Sequence, residues 1–183
     1  MTTLNIPNML TLGRIVMIPL MVISYYWLGD GGKILAAAIF ALAAVTDWFD
    51  GYLARKLNQS TPLGAFLDPV ADKLIVAAAL MVLVEDYAVT WITIPAMVIV
   101  GREIVISALR EWMAELGKRA NVAVSSLGKI KTTLQMVSII LLLAAQDIHV
   151  LEWPGVIALF VAAVLTVWSM LIYLKAAWPE LRS

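Results

Sequence analysis

The sequence predicts an all-α integral membrane protein with six transmembrane helices and both termini in the cytoplasm, formed as a single domain over residues 1–183. Three observations carry that reading. Hydrophobic residues make up 62% of the chain, above the usual content of a soluble domain. They gather into six stretches, each near the ~20 residues that a helix needs to cross the hydrocarbon core. Basic residues are sorted between the joints, although the chain is balanced overall at 13 basic and 13 acidic residues. Cysteine is absent, which excludes a disulfide framework and a thiolate metal site.

The first span is read at 9–28. Met1 to Pro7 lacks a basic region or a small-residue cleavage pattern, so this helix is expected to be retained rather than removed as a signal peptide. Gly29-Asp30-Gly31-Gly32 ends it. The second span, 33–54, stops at Arg55-Lys56, and the polar run Gln59 to Pro62 turns the chain into the third, 65–84. Glu85-Asp86 marks the next joint, followed by a fourth span at 91–116 that Gly117 closes. The fifth covers 127–145 and ends at Gln146-Asp147; the sixth covers 150–174, with Trp153-Pro154 punctuating its start. Tryptophans such as Trp27, Trp91, Trp153 and Trp178 fall where interfacial anchors are expected.

With the N-terminus inside, Arg14, Arg55, Lys56, Arg110, Lys118, Arg119, Lys129, Lys131, Lys175 and Arg182 all fall at or near cytoplasmic ends. Only Lys33 lies near the outer face, where Asp30, Glu85, Asp86, Asp147 and Glu152 gather. Against that background four acids stand out: Asp47-x2-Asp50-Gly51-x2-Ala54-Arg55-x8-Gly64-x3-Asp68-x3-Asp72. A carboxylate near hydrocarbon is costly unless it is paired, hydrated or bound to a cation. Asp47, Asp50, Gly51 and Ala54 share one helical face, and Gly64, Asp68 and Asp72 another. Antiparallel neighbours joined by a short loop would bring the two acidic faces together at similar depth, open to the cytoplasm and ~12 Å along the helix from Arg55 and Gly64. Oxygen-only donors without His or Cys suit Mg2+ or Mn2+ rather than zinc or copper.

The motif at 47–72 resembles the signature of the CDP-alcohol phosphotransferase family, with all eight defining positions present. The likeness covers essentially the whole chain. Asn8, Thr11 and Arg14 in Pro-Asn-Met-Leu-Thr-Leu-Gly-Arg, the segment Arg102-Glu103 through Ser107-Ala108-Leu109-Arg110-Glu111, and Leu127-Gly128-Lys129-Ile130-Lys131-Thr132 are similar to the bacterial phosphatidylglycerophosphate synthases. The resemblance implies a bacterial inner-membrane homodimer, surrounded by lipid and without a nucleic-acid partner. Its reaction would transfer a phosphatidyl group from CDP-diacylglycerol to glycerol 3-phosphate, with two Mg2+ or Mn2+ ions. It implies Asp47, Asp50 and Asp68 as metal ligands and Asp72 as general base, with Asp72 also a candidate ligand. It further implies that Asp47, Gly51, Ala54, Arg55 and Gly64 receive CDP-diacylglycerol. Alone, Gly51, Ala54 and Gly64 would equally suit close helix packing.

A dianionic acceptor needs cations of its own, and Arg110 and Lys131 are the preferred phosphate contacts, followed by Arg102 and Lys129. Arg102 could instead neutralise its neighbour Glu103. A divalent-cation transporter would place its acids nearer the midplane and between repeats, and no repeat is visible; a different alcohol acceptor is the nearer alternative. The orientation is checked by placing single cysteines at Ser60 and Asp30 in this cysteine-free chain and labelling intact cells with an impermeant thiol reagent. Position 30 is expected to label and position 60 to stay protected; the reverse pattern inverts the topology.

Overall fold

The computed structural model describes residues 6–57, 61–117 and 126–181. Within them lie six long helices and no strand: α1 (Ile6–Trp27), α2 (Gly32–Leu57), α3 (Pro62–Tyr87), α4 (Thr90–Glu115), α5 (Ser126–Ala145) and α6 (Glu152–Leu181), with a 3-10 turn at His149–Leu151 before α6. Over the described residues, three segments are long and apolar enough to cross a membrane, at Asn8–Trp27, Thr90–Glu115 and His149–Trp178. The apolar part of α5, Ile130–Ala145, is shorter. In α3, Asp68, Asp72 and Lys73 interrupt the apolar run near one end, and Glu85 and Asp86 near the other.

The joints follow backbone chemistry. Gly29 and Gly31 adopt φ of 66° and 78° between α1 and α2, a conformation that side chains with a Cβ disfavour. One expected break falls inside a helix instead. Glu85-Asp86 does not end α3, which continues to Tyr87 and stops at Ala88 in the left-handed region. The acids are held by other elements: Tyr25 Oη donates to Asp86 at 2.9 Å, Tyr26 Oη to Glu85 at 2.6 Å, and Lys33 Nζ pairs with Asp86 at 3.3 Å. Trp153-Pro154 lies within the first turn of α6, where a missing amide proton breaks no intrahelical bond.

The core is built from stripes at helical spacing. Ala36, Ala37, Phe40 and Ala43 of α2 meet Ile75, Ala79, Leu80 and Leu83 of α3, Ile139, Leu142 and Leu143 of α5, and Val156, Leu159 and Ala163 of α6 in one cluster. Small residues recur in the stripes of α2, α3 and α6, which lets backbones approach closely. The helix order in space differs from the simple hairpin expected of α2 and α3. Among the described residues α1 packs extensively against both, while α2 and α3 touch each other much less, so there the two acid-bearing helices meet chiefly through α1.

A Cβ added at Gly32 would collide with the Ser24 carbonyl oxygen, whereas one at Gly13 would meet nothing within 4 Å. Gly32→Ala should cost about 1–3 kcal/mol through a forced backbone shift, lowering the melting midpoint of the detergent-solubilised protein by several degrees. Gly13→Ala should leave it unchanged or raise it slightly.

Candidate active site

The candidate site begins on α1. Asn8, Thr11 and Arg14 recur every three residues along one side of the helix, and all three are buried. Thr11 Oγ1 donates to Asp68 Oδ1. Arg14 reaches further: Nη1 lies 2.5 Å from Asp47 Oδ1 and 2.6 Å from Asp72 Oδ1, and Nη2 lies 3.5 Å from Asp68 Oδ1. One guanidinium from α1 thus joins an acid of α2 to two acids of α3. Its side chain is 1% exposed, while Asp47, Asp68 and Asp72 remain 37%, 44% and 41% exposed.

Asn8 and Gly64 complete the packing of α1 on the start of α3. Thr61 caps α3, its hydroxyl accepting from the Gly64 amide at 3.0 Å, with Pro62 following at the first helical position. Asn8 Nδ2 donates to Thr61 Oγ1 at 2.9 Å, and the Thr61 hydroxyl donates back to Asn8 Oδ1 at 3.0 Å. A Cβ on Gly64 would stand 2.5 Å from Asn8 Oδ1 and 3.2 Å from Thr61 Oγ1. Gly64 therefore has a packing role against α1.

Beside the acids opens a cavity of about 750 Å3 between α3, α4 and α5, lined by Asp72 together with Arg102, Glu103, Arg110 and Lys131. Glu103 Oε1 accepts from Arg102 Nη1 at 2.7 Å and from Lys131 Nζ at 3.1 Å. The expected neutralisation of Glu103 by Arg102 is present, and Lys131 shares in it. Arg110 lies with its guanidinium carbon 5.2 Å from the centre of the Tyr173 ring, a cation–π contact from α4 to α6. The side chains of Asp50, Gly51, Ala54, Arg55 and Lys129 lie outside the described residues, as do Lys118 and Arg119 altogether.

By residue type the donors suit a hard divalent cation. Asp47, Asp68 and Asp72 offer only carboxylate oxygens, which match Mg2+ or Mn2+ chemistry, and each keeps more than a third of its side chain exposed. Among the described residues no group of three or more His, Cys, Asp or Glu is placed to hold a metal ion; the positive group joining these acids is Arg14.

Comparison with known proteins bears on this arrangement. A family model described as CDP-alcohol phosphatidyltransferase matches residues 4–168. The chain belongs to the CDP-alcohol phosphatidyltransferase family. A curated protein of Salmonella choleraesuis (strain SC-B67) is 56% identical over 177 residues, covering 97% of each chain. Proteins of Escherichia coli (strain K12) and Shigella sonnei (strain Ss046) are each 57% identical over 177 residues, with the same coverage. All three relatives are named CDP-diacylglycerol–glycerol-3-phosphate 3-phosphatidyltransferase.

For this CDP-alcohol phosphatidyltransferase family member, sequence reasoning counted Arg14 among the cations at cytoplasmic ends and, with Asn8 and Thr11, among the residues of the family resemblance, but gave it no place in the site. The available signal was its company: a lone cation within an apolar helix, three residues beyond a threonine and six beyond an asparagine on the same side. The packing role of Gly64 yields a test. Gly64→Ala should lower stability by about 1–3 kcal/mol through overpacking, and Asn8→Ala should recover part of that loss by removing the atom in the way. A double-mutant cycle on melting midpoints measures this; strictly additive effects would place the clash elsewhere.

Proposed function

We propose that this protein transfers the phosphatidyl group of CDP-diacylglycerol to glycerol 3-phosphate, giving phosphatidylglycerophosphate and CMP. The reading is supported by the near-full-length relatives that carry this activity in their names. The structural observation that supports it most is that Asp72 lines the same cavity as Arg102, Arg110 and Lys131. A proton acceptor and cations for a phosphate thus border one space. We further propose that residues 1–183 act as one domain of six membrane spans, with both termini and the site on the cytoplasmic side of a bacterial inner membrane, and that the chain is a homodimer.

In this scheme the phosphate of glycerol 3-phosphate docks against Arg110 and Lys131, with Arg102 and Lys129 close by. Lys131 is already paired with Glu103, so the incoming phosphate joins or exchanges with that pair. The cytidine and pyrophosphate lie along Asp47, Gly51, Ala54, Arg55 and Gly64. Asp72 takes the proton of the acceptor hydroxyl, whose oxygen forms the new bond to the phosphatidyl phosphorus as the bond to CMP breaks. Asp47, Asp50, Asp68 and Asp72 would hold two Mg2+ or Mn2+ ions, whose charge would offset that building on the phosphoryl oxygens.

The reading is tested by CMP release from CDP-diacylglycerol by the purified full chain across a panel of glycerol 3-phosphate, serine and inositol phosphate. Release is expected with glycerol 3-phosphate, and a preference for another alcohol would overturn the acceptor assignment. Arg110→Ala and Lys131→Ala should each lower kcat/KM for glycerol 3-phosphate by about ten- to a hundred-fold while leaving CDP-diacylglycerol binding largely intact. Asp72→Asn should lose turnover and keep metal-dependent CDP-diacylglycerol binding.

A further inference from the structure

Arg14 lies outside the eight signature positions, yet it is the group on which the described acids of the site converge. A buried cation in an apolar helix is strongly disfavoured unless paired, and a group of carboxylates is disfavoured unless its charge is offset. Here each requirement answers the other. The planar fork of the guanidinium lets one nitrogen serve Asp47 and Asp72 while the other faces Asp68. A divalent ion at these carboxylates would neutralise the same negative charge, so the two cations act on one electrostatic quantity.

We propose that Arg14 is a positioning residue and the resident counter-cation of the aspartate site: it holds Asp47, Asp68 and Asp72 together when no divalent ion is bound, and shares their carboxylates with the ion when one is. This rests on the reading of the aspartates as cation ligands given above. Its consequence is coupling. Removing Arg14 leaves the acids to repel one another in the metal-free protein, and an added ion then makes up much of the loss. An arginine serving only to pack α1 would be missed equally in both conditions.

The test is the melting midpoint of the full chain in detergent, with EDTA or with saturating MnCl2, for wild type, Arg14→Gln and Arg14→Lys. In EDTA, Arg14→Gln should melt about 5 °C or more below wild type, a size expected for breaking a buried charge cluster in a chain of this length. Mn2+ should shrink that deficit by at least half. Arg14→Lys keeps the charge and loses the fork, so it should show a smaller deficit that Mn2+ also reduces. A deficit of equal size in both conditions overturns the proposal while leaving the cation reading intact, provided Mn2+ raises the wild-type midpoint. If Mn2+ moves neither wild type nor variants, the cation reading fails and this inference falls with it. Should Arg14→Gln fail to fold in either condition, Arg14→Lys decides by the same comparison.

Discussion

One arginine on one helix holds three acids on two others, and most of the architecture around the candidate site follows from that contact. Arg14 is nearly inaccessible, and its partners Asp47, Asp68 and Asp72 belong to α2 and α3, which make little direct contact with each other among the described residues. Without Arg14 between them, the three acids would face each other as partly exposed like charges. Thr11 on Asp68, and Asn8 on the Thr61 cap of α3, extend the same seam along α1 and fix where α3 begins.

The opposite end of α1 is tied by a second set of polar contacts. Tyr25 and Tyr26 donate to Asp86 and Glu85 near the end of α3, and Lys33 at the start of α2 adds an ion pair to Asp86. Between these two seams the contacts are almost wholly apolar, with Met21, Phe40, Leu80 and Leu83 among the best-buried side chains. The α1–α3 pair is thus pinned at both ends, which sets the depth of Asp72. The cavity on its far side opens toward α4 and α5, so Arg102, Glu103 and Lys131 border the space that Asp72 enters. The division of labour is spatial: α1 faces the acids from one side, and the proposed acceptor cations approach from the other.

Much of the fold was legible along the chain because hydrophobic run length and glycine chemistry are local properties. All six helices lie where the apolar stretches were read, and the left-handed glycines at 29 and 31 stand between α1 and α2. The one break misplaced, at Glu85-Asp86, has a tertiary cause. An acidic pair reads as a helix end only until partners on other helices satisfy it, as Tyr25, Tyr26 and Lys33 do here. The acids of the candidate site were legible for a similar reason: spacing alone puts Asp68 and Asp72 on one face. The shared partner was not, because Arg14 is 33 residues from Asp47 and 58 from Asp72 in sequence.

By itself the sequence determined that this chain is helical and apolar, which acids share a helical face, and that the set of donors suits a hard cation, since each depends on residue type and short-range period. Only the tertiary structure decided that α1 lies between the two acid-bearing helices, that Gly64 is small because Asn8 lies against it, and that Glu103 is shared by Arg102 and Lys131 beside Asp72. Those facts join residues tens of positions apart. A charge in a helix shows that it needs a partner, but which of several distant opposite charges supplies it is settled by the packing that brings their helices together.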